Sequence, residues 1–367
     1  MQYQSHSDDN ILIQTSGCLD SEGIALESCS VLSLRDAMMP FREQMELLLE
    51  NLHGVISSCG TPVFVRFFLS DPANQAAVLN GRLDLDCPVS VIGQTPLDGT
   101  KIAAMVWCRR AAAVARLSDR MYKVTERGID EYWYTGGLSD ADGSYGQTVA
   151  LLDDLAGSLQ AQGLTLRDNC MRTWLFVQNI DVNYKGVVDG RNDVFDNHDL
   201  TARTHFISST GIEGRTANHI NKVMLDAVAV SGAGVGVKFL YGQSHLNRTS
   251  EYGVRFERGT EIDYPDRKHV YISGTASIDN KGQIMYEGDI VRQTARMIEN
   301  VEVLLSESGC SFADVAAMTV YLRDPSDYAV VNRIFSERFP NHPRIITQAP
   351  VCRPGWLIEM ECVAISC

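Results

Sequence analysis

Long apolar runs are missing from this 367-residue sequence, and with them any helix of the ~18 or more apolar residues that crossing a bilayer takes. The opening MQYQSHSDDN lacks the positive and apolar regions of a secretion signal, so a cytoplasmic protein with no membrane partner is expected. No run rich in Lys and Arg occurs, and a formal charge of −14 opposes a surface built to neutralise phosphates; this argues against nucleic acid as a partner. The metal-ligand spacings H-x-x-H, H-E-x-x-H and C-x-x-C are absent, and neither metal nor cofactor is expected. Ten cysteines fall singly, several inside apolar runs, which reads as buried free thiols. The sequon Asn247-Arg248-Thr249 then carries no glycosylation meaning. Gly232, Gly234 and Gly236 in SGAGVGV match no phosphate-loop pattern and read as linker.

What is present is a repeat. QMELLLENLHGVISSCG from Gln44, QTVALLDDLAGSLQAQG from Gln147 and QTARMIENVEVLLSESG from Gln293 each open on Gln, carry an acid followed by Asn or Asp at the same place, and close on Gly after the same interval. Apolar residues at three- and four-residue spacing predict an amphipathic helix stopped by glycine. Short apolar runs precede the helices: ILIQTSG with Ser16-Gly17, EYWYTGG with Thr135-Gly136, and HVYISGT with Ser273-Gly274. Each reads as a strand ending in a turn. A strand, a second helix and two further strands follow, giving β-α-β-α-β-β in each copy and an α+β fold with helices on one sheet face. Packing the three uncovered faces about one axis predicts an intrachain pseudo-trimer with a barrel-like centre. The expected domains are 1–110, 111–233 and 251–367, with 234–250 as linker and 109–125 as a connection.

The third copy carries YISGTASI, the glutamine helix, MTVYLRDPSDYAVVNRIF, His342-Pro343-Arg344 and the closing IEMECVAI. In these it resembles the Rid (YjgF-like) proteins, also called L-PSP endoribonucleases. The resemblance implies a trimer of clefts that hydrolyse amino-acid-derived enamines and imines to 2-oxo acids. It also implies Arg344 as carboxylate clamp and Glu359 as the residue handling water and proton, with Asn332 and the backbone at Ser273 and Gly274 lining the cleft. The first copy has Val89 in place of Arg344, and Ala103 and Met105 in place of the glutamates. The second offers Arg203 but has Met224 where Glu359 would stand. One working cleft is therefore expected, in the third copy, within a monomer. The same run, with Cys352, Arg353 and Glu359 or Glu361, is also similar to the chorismatases, which release pyruvate from chorismate. The histidine segment expected of them after SGTAS is replaced by Asp279-Asn280-Lys281-Gly282.

The residue chemistry fits a small anionic carboxylate metabolite. Arg344 and Arg353 present planar forks that a carboxylate accepts in pairs. Glu359 and Glu361 share a strand face by the period of two, about 7 Å apart, which raises one carboxyl toward neutrality. Ser273 lacks the partners of a nucleophile and reads as a backbone or hydroxyl contact. Cys352 lies beside Arg353 in the expected cleft, with only that cation to activate it. A binder that performs no catalysis stands as the reading from another class.

Overall fold

The computed structural model describes residues 1–367 apart from the side chain of Tyr252, and its strands form three mixed sheets. The three glutamine segments are helices, Phe41–Cys59, Gly143–Gln160 and Ile290–Glu307. Leu48, Leu52 and Val55 of the first are buried, as are Leu151, Leu155 and Leu159 of the second and Met297, Val301 and Leu304 of the third. This is the stripe a helix must hide against a sheet. Gly60, Gly163 and Gly309 follow the three helices with positive φ, where a side chain would be strained.

The shared glutamine has one task in all three copies. Gln44 donates to Asp36 O and Met39 O and accepts from Lys101 N; Gln147 donates to Ala141 O and Ile220 O and accepts from Lys222 N and Val223 N. Gln293 donates to Tyr286 O and Gly355 O and accepts from Leu357 N. Each amide thus ties the loop before its helix to the entry of the copy's final strand, satisfying backbone groups that have no ladder partner there.

All three sheets have one strand order. The first runs Gln2–Ser7, Ile11–Leu19, Ala25–Leu34, Ile102–Arg109, Thr61–Leu69, Val89–Ile92. The second runs Ala113–Arg116, Met121–Glu126, Ile129–Gly137, Val223–Gly232, Cys170–Val177, Ser208–Glu213. The third runs Gly236–Leu240, Gly259–Asp263, Lys268–Ala276, Ile358–Ser366, Val315–Leu322, Arg344–Gln348, and is extended by Thr95–Pro96 of the first copy. The last two strands of each copy's order are parallel, bridged by the helices Pro72–Asn80, Ile180–Asn197 and Tyr328–Arg338; the remaining pairs are antiparallel.

Several expectations are corrected. Two more strands precede the helix in every copy, so the order is β-β-β-α-β-α-β-β. The outermost of them, Gln2–Ser7, Ala113–Arg116 and Gly236–Leu240, are short or exposed, so they carry little of the apolar alternation that marks a half-buried strand. For that reason the stretches read as connection, 109–125, and as linker, 234–250, contain strands of the second and third sheets. In the first copy the strand next to the helix is Ala25–Leu34, and ILIQTSG belongs to its hairpin partner. Thr135-Gly136 and Ser273-Gly274 are bulges within continuing strands, not turns. Cys18 and Cys367, whose Cα atoms are 6.2 Å apart, are paired as a disulfide; the other eight cysteines are free.

Among the described residues no ladder closes the sheets into a barrel. Neighbouring sheet edges meet through Thr347–Gln348 with Thr95–Pro96 and through single bridges, Gly93 to Arg215, Ser208 to Glu257 and Ile212 to Val351. One apolar cluster nevertheless draws on all three sheets, including Phe64 and Trp107, Trp133 and Trp174, and Tyr271 and Cys362. No helix among the described residues is long and apolar enough to cross a membrane.

Candidate active site

Strand register decides which residues can meet. Met318 pairs with Arg344 on one side and with Cys362 on the other, whereas Glu359 pairs with Tyr321. Arg344 and Glu359 are thus two strands apart, about 10 Å, and three residues apart along the strand, about another 10 Å. They open into different clefts. Glu359 faces the second copy, in a cleft with Tyr184, Arg191, Ser209 and Gly211 from that copy and Arg258, Gly274, Cys352, Arg353 and Trp356 from its own. Arg344 and Asn332 face the first copy instead.

Register also identifies what stands in for Arg344 beside Glu359. Thr173 pairs with Ser209 and Ala227 as Met318 pairs with Arg344 and Cys362, so Ser209 holds the position in the second copy. Arg203, expected there, lies in an exposed turn outside the strand. A clamp read from one copy's sequence is divided between two clefts in space.

Glu359 is only 4% exposed. Burial foremost, and then the nearby charge of Glu361, push its carboxyl up to about 8, with Arg258 and Arg172 pulling the other way. It is therefore protonated and able to donate at neutral pH. Burial and the Glu359 charge push the Cys352 thiol up to about 12, which keeps it from serving as a thiolate nucleophile. Arg353 donates to Gly282 O at 3.3 Å and lies over the Trp356 ring at 4.8 Å. The cavity is tight, about 50 Å³, room for a few waters.

Glu361 lies deeper, at a central cavity of about 40 Å³. It accepts from Arg172 Nη2 at 2.6 Å, Thr210 Oγ1 at 2.5 Å and Trp174 Nε1 at 2.9 Å. Thr210 Oγ1 in turn accepts from Gly274 N at 2.9 Å. Ser273 is wholly buried, its hydroxyl donating to Glu257 O at 2.6 Å and accepting from Ser209 N at 3.0 Å, which joins the two copies behind the cleft.

Gly274 is required by close approach. A Cβ there would lie 2.1 Å from Glu359 Oε1 and 2.8 Å from its Cδ. Gly274→Ala is expected to displace the carboxyl and cost about 100-fold in kcat; steady-state kinetics on a protein of unchanged circular dichroism would measure it.

Sequence reasoning missed Tyr184, Arg191, Arg258 and Arg172. Arg172 had a signal, a lone charge inside the buried run CMRTWLFV, as did Arg66 in TPVFVRFFL. Arg191 follows Val187 at helical spacing on the buried face of its helix. Arg258 had none.

With this geometry in place the relatives can be compared. The sequence model described as Endoribonuclease L-PSP matches residues 263–366. A RutC family protein of Pyrococcus abyssi is 37% identical over 97 residues, which are 26% of this chain and 76% of that one. The chain belongs to the L-PSP (Rid/RutC) family. A second L-PSP relative, the 3-aminoacrylate deaminase RutC of Acinetobacter baylyi, is 34% identical over 97 residues, 26% of this chain and 77% of that one. Beyond the L-PSP-like part, a chorismatase crystal structure superposes on 83% of this chain and 93% of its own with a TM-score of 0.65. At 19% identity that likeness establishes the fold.

Proposed function

We propose that the Glu359 cleft hydrolyses a small carboxylate-bearing metabolite, with Glu359 as proton donor and Arg191, Arg258 and Arg353 holding the anionic groups. The observation that carries this reading is a buried carboxyl, pushed up to about 8, set among three arginines where two copies meet. Enol-ether hydrolysis, as in the chorismatases, is the first reading. Glu359 protonates the methylene carbon of an enolpyruvyl group, water adds to the oxygen-stabilised cation, and the hemiketal splits into pyruvate and an alcohol. The separation of Arg344 from Glu359 favours it over the deaminase, because the single-copy clamp is not assembled at this acid.

The second reading is enamine or imine deamination, supported by the identity to a 3-aminoacrylate deaminase. The same proton would go to the enamine carbon, water would add to the iminium, and ammonia would leave. Pyruvate release from chorismate is the expected result in a lactate-dehydrogenase-coupled assay. Ammonia from 2-aminoacrylate or 3-aminoacrylate without pyruvate from chorismate transfers the site to the second reading. Neither activity, with chorismate still binding, leaves a metabolite binder.

We propose further that 1–110, 111–233 and 234–367 are three copies fused as an intrachain pseudo-trimer, supported by the identical strand order of the three sheets. Each copy then finds its neighbours within the chain, and light scattering should return a monomer near 40.6 kDa. A stable trimer of full chains would count against this.

A further inference from the structure

The third copy differs from the other two in one hairpin. Its outer strands Gly236–Leu240 and Gly259–Asp263 are joined by residues 241–258, whereas the matching hairpins turn within residues 8–10 in the first copy and 117–120 in the second. Two antiparallel strands need only a tight turn, and a connection as long as 241–258 inside a compact domain is usually functional. This one reaches the junction that holds Glu359, where its Val254, Phe256 and Arg258 line the cleft.

The segment is firm at its base and lightly held at its tip. At the base Glu307 accepts from Tyr241 N at 2.8 Å and Gly242 N at 2.9 Å, Leu246 is buried in the core, and Arg258 donates to Asn247 O at 3.2 Å. Thr249 Oγ1 closes a smaller loop by donating to Phe256 O at 2.5 Å. The tip crosses to the second copy. There Arg255 Nη1 donates to Asn192 O at 3.0 Å and Asp196 Oδ1 at 2.5 Å, and Asn192 Nδ2 donates to Gly253 O at 3.4 Å. Asn192 and Asp196 stand on the helix Ile180–Asn197, which also brings Tyr184 and Arg191 to the cleft. The Arg255–Asp196 pair meets water, its side chains 29% and 55% exposed, and ion pairs of that kind hold weakly. The tip can therefore part from the second copy while the base stays packed.

The tip brings an apolar wall in among charges. The centre of the Phe256 ring lies 5.9 Å from the Arg191 guanidinium and 5.4 Å from that of Arg258, within reach of a cation–π contact to each. We propose that residues 249–256 are a strap that sets the specificity of the Glu359 cleft. It opens at the Arg255–Asp196 pair to admit the ligand and settles with Phe256 and Val254 against the ligand's carbon body. This rests on the reading of the cleft as a carboxylate site. A ring laid against Phe256 leaves its carboxylate to the neighbouring arginines, whereas a two- or three-carbon acid gains little from that wall.

The test uses full-length Glu359→Gln protein and reads binding, so its outcome does not depend on whether Glu359 supplies the proton. Calorimetric titration is expected to show benzoate binding at least ~10-fold more tightly than pyruvate, and Phe256→Ala is expected to bring the two within about 3-fold by weakening benzoate alone. Asp196→Ala should hasten hydrogen exchange of residues 249–256 by about two- to five-fold, the yield of one exposed ion pair, and the exchanged pair Arg255→Asp with Asp196→Arg should restore it. Equal affinity for the two acids, a Phe256→Ala loss shared by both, or exchange indifferent to Asp196→Ala would each overturn the strap while leaving the carboxylate site standing. No saturable binding of either acid would overturn the carboxylate reading and the strap with it.

Discussion

Glu359→Gln is expected to lower kcat for the hydrolysed metabolite by about 10²–10⁴-fold, the usual contribution of a positioned acid, while leaving the protein folded. Gln keeps the shape of the side chain but has no acidic proton to transfer. The pH dependence follows from the raised carboxyl, about 8, because the reaction needs the protonated form. Activity should hold through neutrality and fall as pH rises through about 8. Stability follows the same sign: a group whose pKa is higher folded than unfolded contributes fully below its unfolded value and loses that contribution as pH rises through the folded one. The wild-type protein should therefore lose stability relative to Glu359→Gln as the pH rises from the ordinary glutamate range to about 8. Parallel urea titrations and pH–rate profiles of the two proteins measure both effects. A variant with wild-type kcat at pH 7 would remove Glu359 from the chemistry.

Arg172→Met is expected to cost about 3–5 kcal/mol of unfolding free energy, the range for breaking a buried ion pair from one side. Arg172 is 1% exposed and its Nη2 lies 2.6 Å from Glu361, which would be left with Arg66 Nη1 at 3.9 Å as its nearest cation. The pair also spans two copies, so its loss loosens the wall behind Glu359. Adding Glu361→Leu should recover much of the loss, because an apolar pair of similar volume often replaces a buried ion pair without penalty. Chemical denaturation of the single and double variants tests this, and a single-variant cost under about 1 kcal/mol would mean that Glu361 finds water instead.

Local structure was the legible part of this sequence. Gln44, Gln147 and Gln293 stood out because one buried amide performs one task three times, and repetition makes such a task visible. The apolar spacing of Ile290–Glu307 and the alternation in Ile358–Ser366 followed from single faces turned to the core. The outer strands Gln2–Ser7, Ala113–Arg116 and Gly236–Leu240 were hidden because water meets most of their side chains. The candidate site was half legible. Glu359, Arg353 and Cys352 lie near one another in the chain and in the cleft, whereas Arg191 and Arg258 arrive from other elements. The clamp expected from Arg344 failed to meet Glu359 because proximity in sequence, across an edge strand and a final strand, says nothing about which neighbour each will face.

That register has a consequence for how such a chain can diverge. In an assembly of identical subunits, any substitution appears at every junction at once. Here the junction with Glu359 presents Ser209, while the junction with Arg344 presents Ala103, and each can change without altering the other. The proposed fusion would release the junctions from sameness: one can keep an acid, another an arginine, and selection can act on each alone.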